Sequence, residues 1–215
     1  MKLPAITLLA ALGVAAFAVH AQETSDWIEL FNGKDLSQWE MPDGSPVKGW
    51  DVQDGAIHRA EKAGNIHSKE TFKDFELVFE WKVAKGTNSG VKYRFHDGLG
   101  PEYQVIDDVN GNEELPHRLA AALYYIKAPE GKKLAPIGEW NTAKIIADGN
   151  RLEHWLNNVK VLEIEIGSEE WKQRFSESKY VKMKNSEGYA EMEGPIHLQE
   201  HGGEVWYRGM KIRRL

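Results

Sequence analysis

The feature of this sequence that most constrains its fold is an alternation of apolar and polar residues with a period of two. A period of two places every second side chain on the same face of a β-strand. In residues 75–83 the set Phe75, Leu77, Phe79, Trp81 and Val83 alternates with the set Glu76, Val78, Glu80 and Lys82. This segment therefore predicts a strand with one buried face.

The same pattern recurs along most of the chain. Gly- and Asn-rich turns separate the repeats, among them Asp148-Gly149-Asn150, which predicts a hairpin. We expect 75–83 and 91–95 to be neighbouring antiparallel strands. The further predicted strands are 102–107, 140–147, 152–156, 159–166, 196–201 and 205–213, with shorter ones at 28–32, 49–52 and 56–59.

Helical signals are rare in this sequence. Residues 168–178 predict one short helix, because Ser168 can cap it and Trp171 and Phe175 share a face. A second helical turn is predicted over 119–126. Many short strands with one helix indicate an all-β fold, a two-sheet antiparallel jelly-roll β-sandwich.

The first residues predict a leader rather than part of the fold. Lys2 is followed by an apolar run to Phe17, and Val19 and Ala21 are small residues before a cleavage point. We interpret residues 1–21 as a signal peptide. A membrane anchor is the weaker interpretation, since the run is shorter than the roughly 20 residues that span a bilayer. Residues 22–215 are then expected to form a single exported domain, periplasmic or secreted, with no membrane attachment.

Composition excludes several classes of function. The 215 residues contain no Cys, which excludes disulfide scaffolds, Cys-ligated metals and thiol nucleophiles. The formal net charge of −6 argues against nucleic acid as a partner. The oligomeric state is left open.

Six short motifs, in order along the chain, resemble the 3-keto-disaccharide hydrolase family. They are LFNGKDLSQW (30–39), WDVQDG (50–55), NSGVKYR (88–94), EYQVIDD (102–108), GEWNT (138–142) and HLQEHG (197–202). The resemblance implies a concanavalin A-like sandwich in an exported bacterial protein. It also implies action on small carbohydrates whose glucose ring carries a ketone at C3.

The chemistry of such a substrate indicates which side chains a site needs. The C3 ketone acidifies the C2 proton, and removal of that proton allows the enolate to expel the oxygen on C1. Addition of water then completes a net hydrolysis. This reaction needs a base, a cationic group or metal at the enolate oxygen, and an acid for the leaving group.

Polar residues on the predicted strand faces supply candidates for these roles. Glu102 and His201 are the candidate base and acid. For each residue taken alone, the alternative to a catalytic role is a position on the solvated surface. For His201 the alternative is a position in a turn. The candidate substrate-binding residues are Lys92, Arg94, Gln104, Gln199, Glu80, His154, Tyr124 and Trp140.

Some of these residues have competing interpretations. His154 alternates with Leu152 and Leu156, so a core histidine is an equal alternative, although the resemblance includes a His here. Lys92 is favoured as a surface charge. Aromatic residues are more often core, and we assign Trp27, Trp39, Trp50, Trp81 and Trp206 to packing.

A divalent metal ion is the one cofactor that the sequence suggests. Asp107 and Asp108 could bind it together with Glu102 and His201, since hard cations prefer oxygen ligands. An Asx turn at the end of a strand is the favoured interpretation of the two Asp residues.

The sequence thus predicts an exported enzyme that cleaves 3-keto-glucosides by C2 proton abstraction, elimination and hydration. Two alternatives stay open. One is a non-catalytic carbohydrate-binding module. The other is a conventional glycoside hydrolase, with Glu80 and Glu102 as two carboxylates roughly 5–10 Å apart.

Overall fold

A computed structural model describes residues 26–59, 62–96, 98–184, 186, 189 and 193–215. The described strands are β1 (Ile28–Glu29), β2 (Trp39–Glu40), β3 (Asp51–Gln53), β4 (Ala56–Arg59), β5 (Ile66–Phe72), β6 (Phe75–Val83), β7 (Asn88–Lys92), β8 (Glu102–Ile106), β9 (Asn141–Asp148), β10 (Arg151–Leu156), β11 (Val159–Glu165), β12 (Gly194–Leu198) and β13 (Val205–Arg214). The α-helix α1 spans Glu169–Glu177, and short 3₁₀ helices span Pro116–Arg118 and Lys179–Lys182.

The strands form two antiparallel sheets. The large sheet has the order β11-β10-β9-β6-β13-β4-β3, and β1 also pairs with β13. The small sheet has the order β2-β5-β12-β7-β8. Their inner faces enclose one apolar core. The predicted two-sheet antiparallel sandwich with one short helix is confirmed.

The alternation in β6 is the clearest link between sequence and core. Its five apolar positions from Phe75 to Val83 are each at most 2% exposed, whereas the residues between them are partly exposed. Burying such side chains contributes roughly 1.5–3 kcal/mol each. Helix α1 is also confirmed, because the Ser168 hydroxyl accepts the Trp171 backbone N–H at its start.

The predicted pairing of 75–83 with 91–95 is wrong. Strand β6 lies in the large sheet between β9 and β13, whereas β7 lies in the small sheet between β12 and β8. The intervening turn, with Gly86 at φ +78°, carries the chain across the sandwich. In sandwich folds the inner faces of two sheets are about 10 Å apart, a distance that a short turn can bridge.

The predicted helical turn over 119–126 is also wrong. This segment instead runs beside β8, where Ala121 N–H donates to Gln104 O and Tyr124 N–H donates to Glu102 O. Strand β8 is the edge of the small sheet, so its free backbone groups attract a partner segment. Ala121 and Tyr125 adopt positive φ, which interrupts any helix.

Three of the five tryptophans assigned to packing, Trp39, Trp50 and Trp81, are buried. Trp27 and Trp206 are half-buried, and Trp206 stacks on His58 with 4.8 Å between the ring centres. The predicted leader at 1–21 lies outside the described residues. Within the described ranges no helix has the length and hydropathy to cross a membrane.

A candidate active site on the small sheet

A row of polar side chains crosses all five strands of the small sheet. Cross-strand partners join Glu40 to His67, His67 to His197, His197 to Lys92, and Lys92 to Glu102. The residues beside them in the chain are buried in the core: Trp39, Ile66, Leu198, Val91 and Tyr103. Because side chains alternate along a strand, the row lies on the outer face of this sheet. We call it the polar row.

Glu102 occupies the β8 end of the polar row and is only 1% exposed. Its carboxylate folds back over Gly90, where the lack of a side chain makes room for it. Oriented by its neighbours, the Gln199 amide donates to Glu102 Oε1 at 3.1 Å and accepts from Lys92 Nζ at 3.3 Å. Lys92 Nζ itself lies 3.9 Å from Glu102 Oε2.

The electrostatics of Glu102 reflect burial opposed by two cations. Burial raises the pKa of the Glu102 carboxyl, and the charges of Lys92 and then Lys179 act in the opposite direction. A carboxylate with a raised pKa accepts a proton more readily than a solvated one. The arrangement therefore suits a general base.

A cavity of about 300 Å³ adjoins Glu102. It is lined by Lys92, Phe95, Gly98, Gly100, Glu102, Lys179, Tyr180 and Met183. This volume is at the small end of the range for ligand sites. The two ammonium groups and the carboxylate meet at its polar side, so the cavity can hold a small polar ligand against a base.

Lys179 reaches the cavity because of the local structure after α1. Ser178 caps the 3₁₀ helix Lys179–Lys182 by accepting the Tyr180 N–H. The Lys179 ammonium lies 4.6 Å from the ring centres of both Tyr124 and Tyr125. Burial lowers the pKa of Lys179, while the Glu102 charge raises it. Aromatic faces stabilise a cation at such distances, so this ammonium is held in place.

His197 lies in the middle of the polar row and is 3% exposed. Burial, and then the charges of Lys92 and His67, lowers its pKa to about 3, so the ring is neutral near pH 7. Neither ring nitrogen has a hydrogen-bond partner within the described residues. His197 belongs to the HLQEHG motif but is not among the site residues predicted from the sequence.

Two predicted site residues lie beside the polar row and one does not. Gln104 is buried across from Gly90, and its Nε2 donates to Asn88 Oδ1 at 3.2 Å. Tyr124 contacts Lys179 through its ring and donates its hydroxyl to Glu113 Oε1 at 3.0 Å. His201 is exposed beyond the end of β12 and does not line the cavity.

Arg94 is buried away from the cavity. Its guanidinium donates to Lys73 O at 2.6 Å, Gly149 O at 2.9 Å and Asp74 Oδ1 at 2.8 Å. The positive φ of Arg94, 47°, turns the backbone out of the strand pattern. The residue thus ties two loops together and does not line the cavity, which argues against its predicted role in substrate binding.

His154 is a core histidine with satisfied nitrogens. Its Nε2 lies 2.9 Å from the Tyr93 hydroxyl and its Nδ1 lies 3.1 Å from Ala121 O. Burial lowers its pKa to about 4, although the backbone contacts at Ala121 oppose this. Of the two interpretations open from the sequence, the geometry favours packing.

Glu80 and Trp140 lie on the other side of the sandwich. Glu80 pairs with Arg208 at 2.6 Å on the outer face of the large sheet, and the Arg208 guanidinium lies 4.0 Å from the Trp140 ring centre. Glu80 and Glu102 are therefore on opposite outer faces. They do not form the pair of carboxylates that a conventional glycoside hydrolase needs.

The predicted metal ligands are engaged in structural hydrogen bonds. Asp107 accepts the N–H groups of Gly86, Val109 and Asn110 in an Asx turn. Asp108 accepts the Ala120 N–H and the Lys132 ammonium. Among the described residues, no group of three or more His, Asp or Glu is arranged to hold a metal. The four predicted ligands, Glu102, Asp107, Asp108 and His201, are therefore not arranged as a metal site.

The position of Gly90 allows a first prediction. A Cβ there would overlap Glu102 Oε1 and lie 3.0 Å from Cδ, so Gly90→Ala should displace the carboxylate. We expect kcat to fall by about 10²-fold, since misplacement by 1 Å has that order of effect. Thermal unfolding should change little because only a side-chain end moves. The matched control is Gly64→Ala, where the added Cβ meets only the end of the Met41 side chain, away from the cavity. Full activity in Gly90→Ala would contradict this account of the carboxylate.

Comparisons with known proteins extend these observations. The model of the 3-keto-alpha-glucoside-1,2-lyase-like domain matches residues 26–213. A 3-keto-disaccharide hydrolase from Bacteroides thetaiotaomicron is 30% identical over 234 aligned positions, which cover 90% of this chain and 80% of that protein.

Crystal structures from Parabacteroides distasonis show the same architecture. One protein assigned to the glycosyl hydrolases is 32% identical with a TM-score of 0.77, covering 88% of this chain and 94% of the other. A second is 28% identical with a TM-score of 0.70, covering 89% and 84%. The family model spans almost the whole described chain, in agreement with the motifs. This chain therefore belongs to the family of 3-keto-alpha-glucoside-1,2-lyase-like domains.

Proposed function

We propose that this protein cleaves the glycosidic bond of small carbohydrates that carry a ketone at C3 of a glucose ring. Family membership supports this substrate class, and the similar Bacteroides protein is named a 3-keto-disaccharide hydrolase. The observation that carries the proposal is the buried Glu102 carboxyl beside two ammonium groups in a cavity. We further propose that the protein is exported, on the basis of residues 1–21.

In the proposed reaction the ionised Glu102 removes the C2 proton. The electron pair left on C2 forms the enolate of the C3 ketone. When the enolate collapses, a C1–C2 double bond forms, the C3 carbonyl returns, and the bond from C1 to the glycosidic oxygen breaks. The Glu102 carboxyl, which now carries the C2 proton, passes that proton to the departing oxygen and is ionised again. Addition of water to C1 and C2 then gives the 3-keto sugar, so the net reaction is hydrolysis.

The cations of the site have a distinct role from the base. Lys92 and Lys179 both face the cavity that adjoins Glu102. An ammonium beside the C3 oxygen stabilises the negative charge that develops there, and such stabilisation acts strongly where water is excluded. Before the reaction the same charges lower the pKa of Glu102 and so oppose the effect of its burial.

Neutral His197 and Gln199 suit the hydroxyl groups of a sugar. A neutral imidazole offers one donor and one acceptor, and an amide offers an NH2 donor and an oxygen acceptor, so a hydroxyl can bind either side chain. Gln199 also aligns Glu102 with Lys92. His201, the other sequence candidate for the base, is exposed beyond β12. We therefore assign proton abstraction to Glu102.

The substrate class is tested by comparing a 3-keto-glucoside with the matching plain glucoside. We expect release of the aglycone from the keto compound alone, since only a ketone acidifies the C2 proton. Both assays are run with and without added divalent metal ions. Binding of the keto sugar without turnover in either condition would favour the binding-module alternative. Cleavage of both glucosides at similar rates would favour conventional glycoside hydrolysis.

A further inference from the structure

A second groove lies on the outer face of the large sheet, on the opposite side of the sandwich from Glu102. Its volume is about 510 Å³. It runs from Trp155 on β10, over β9 and β6, to Gly209 on β13 and Glu29 on β1. These five strands are neighbours in the sheet, so the groove crosses them over about 19 Å at the ~4.8 Å spacing of strands. We call it the back groove.

A bulge in β13 forms the floor of the back groove. The register between β13 and β6 shifts between Arg208 and Lys211, and Gly209 within the bulge has φ +59°. Gly209 has no side chain, and Val78, the β6 partner of Lys211, is an apolar residue at an otherwise polar face. Bulges of this kind often re-aim side chains beside functional sites. Here the bulge leaves a depression where side chains would otherwise stand.

The wall at the β10 end is aromatic. Trp155 is half-buried, its indole Nε1 donates to Glu153 Oε2 at 2.8 Å, and Lys144 Nζ lies 3.9 Å from its ring centre. The ring is therefore held in a fixed orientation. Thr142 and Asn158 supply a hydroxyl and an amide nearby.

The charges of the back groove are balanced. Two carboxylates, Glu29 and Glu80, face two ammonium groups, Lys144 and Lys211. A balanced set favours a neutral ligand with many hydroxyl groups over a nucleic acid or an anion, since both signs of charge accept or donate hydrogen bonds. Trp155 adds apolar ring surface for the C–H face of a sugar ring, at the part of the indole that the Lys144 ammonium leaves open.

We propose that the back groove binds a neutral oligosaccharide, as a non-catalytic site separate from the polar row. In the back groove Glu80 would contact a sugar, but on the opposite face of the sandwich from the catalytic cavity. Because the two sites face opposite directions, a carbohydrate chain bound here leaves the Glu102 cavity free. The proposal does not depend on the catalytic one, since the bound sugar needs no ketone.

Titration calorimetry with cellohexaose and maltohexaose tests this proposal. We expect at least one of them to bind the wild-type protein. Trp155→Ala removes the aromatic wall, and Thr142→Arg fills the groove from an exposed position without removing a core contact. Each change should weaken binding at least tenfold. Trp206→Ala is the matched control, a half-buried tryptophan of the same sheet that lies outside the groove and contacts His58 and Lys82, and it should bind as wild type does.

Activity toward a small 3-keto-glucoside separates this site from the polar row. It should stay within twofold of wild type in Trp155→Ala and Thr142→Arg. Absence of binding by both sugars in the wild type would overturn the proposal, as would unchanged affinity in Thr142→Arg. Sedimentation that shows a dimer which Thr142→Arg dissociates would also overturn it, by making a second copy of the chain the occupant.

Discussion

Replacement of Glu102 by Gln is expected to lower kcat for a 3-keto-glucoside by about 10²–10⁴-fold. This is the usual contribution of a positioned general base. The amide keeps the size of the side chain and its place over Gly90, but it cannot accept the C2 proton. Substrate binding should change little, so the loss is expected in kcat more than in KM.

The same substitution is expected to leave stability unchanged or to raise it. Burial raises the pKa of Glu102 in the folded state above its value in the unfolded chain. The carboxyl therefore favours folding fully below the unfolded pKa, and this contribution is lost as the pH rises through the folded pKa. A neutral Gln avoids that loss, so chemical denaturation at pH 7 should give an equal or larger free energy of unfolding.

Glu40→Gln is the matched control for Glu102→Gln. It makes the same chemical change at the opposite end of the polar row, on β2, away from the cavity. We expect it to keep activity within threefold of wild type. If a folded Glu102→Gln variant kept more than a tenth of the wild-type kcat, Glu102 would not be the base.

Replacement of Lys179 by Met is expected to lower kcat by about 10²–10³-fold, the effect of removing one group that stabilises an oxyanion. Met retains an unbranched apolar side chain that can pack against Tyr124 and Tyr125, so the fold should persist. Because the Lys179 charge lowers the pKa of Glu102, its loss should also move the acid limb of the kcat/KM profile to higher pH.

Two further variants test whether the loss of activity comes from the charge at position 179. Lys179→Arg keeps the charge and should retain more activity than Lys179→Met. Lys172→Met changes an exposed lysine on α1 and should behave as wild type. A Lys179→Met enzyme with an unchanged kcat and an unchanged pH profile would remove Lys179 from the mechanism.

The sequence predicted those parts of the fold that depend on local pattern. Strand β6 matched at both ends because one of its faces is buried along its whole length. Helix α1 matched because its cap and its apolar pair are local features. Strand β5 was missed, since residues 66–72 carry polar side chains without a clean alternation and three of them in succession are exposed.

The candidate site was only partly predictable because it depends on pairing between distant strands. Glu102, Lys92 and Gln199 were predicted from the sequence. Glu40, His67 and His197 join them only through the registers of strand pairing, which the sequence does not show. Alternation also showed that Glu80 faces outward without showing which sheet carries it.

Arg94 and His201 differ from their predicted positions because the alternation was extended beyond the last residue of an observed strand. Strand β7 ends at Lys92, and the positive φ at Arg94 takes its side chain off the face of Lys92. Strand β12 ends at Leu198, so His201 is not held on the face of His197. The pattern of a sequence does not mark where hydrogen bonding between strands stops.

The central claim is that the C2 proton is removed before the glycosidic bond breaks, and isotopic substitution at two carbons tests it most directly. The rates of cleavage are compared for a 3-keto-glucoside labelled with deuterium at C2, the same compound labelled at C1, and the unlabelled compound. Our account predicts that the C2 label slows cleavage while the C1 label leaves the rate nearly unchanged. The account would be contradicted if the C1 label slowed cleavage while the C2 label left the rate unchanged.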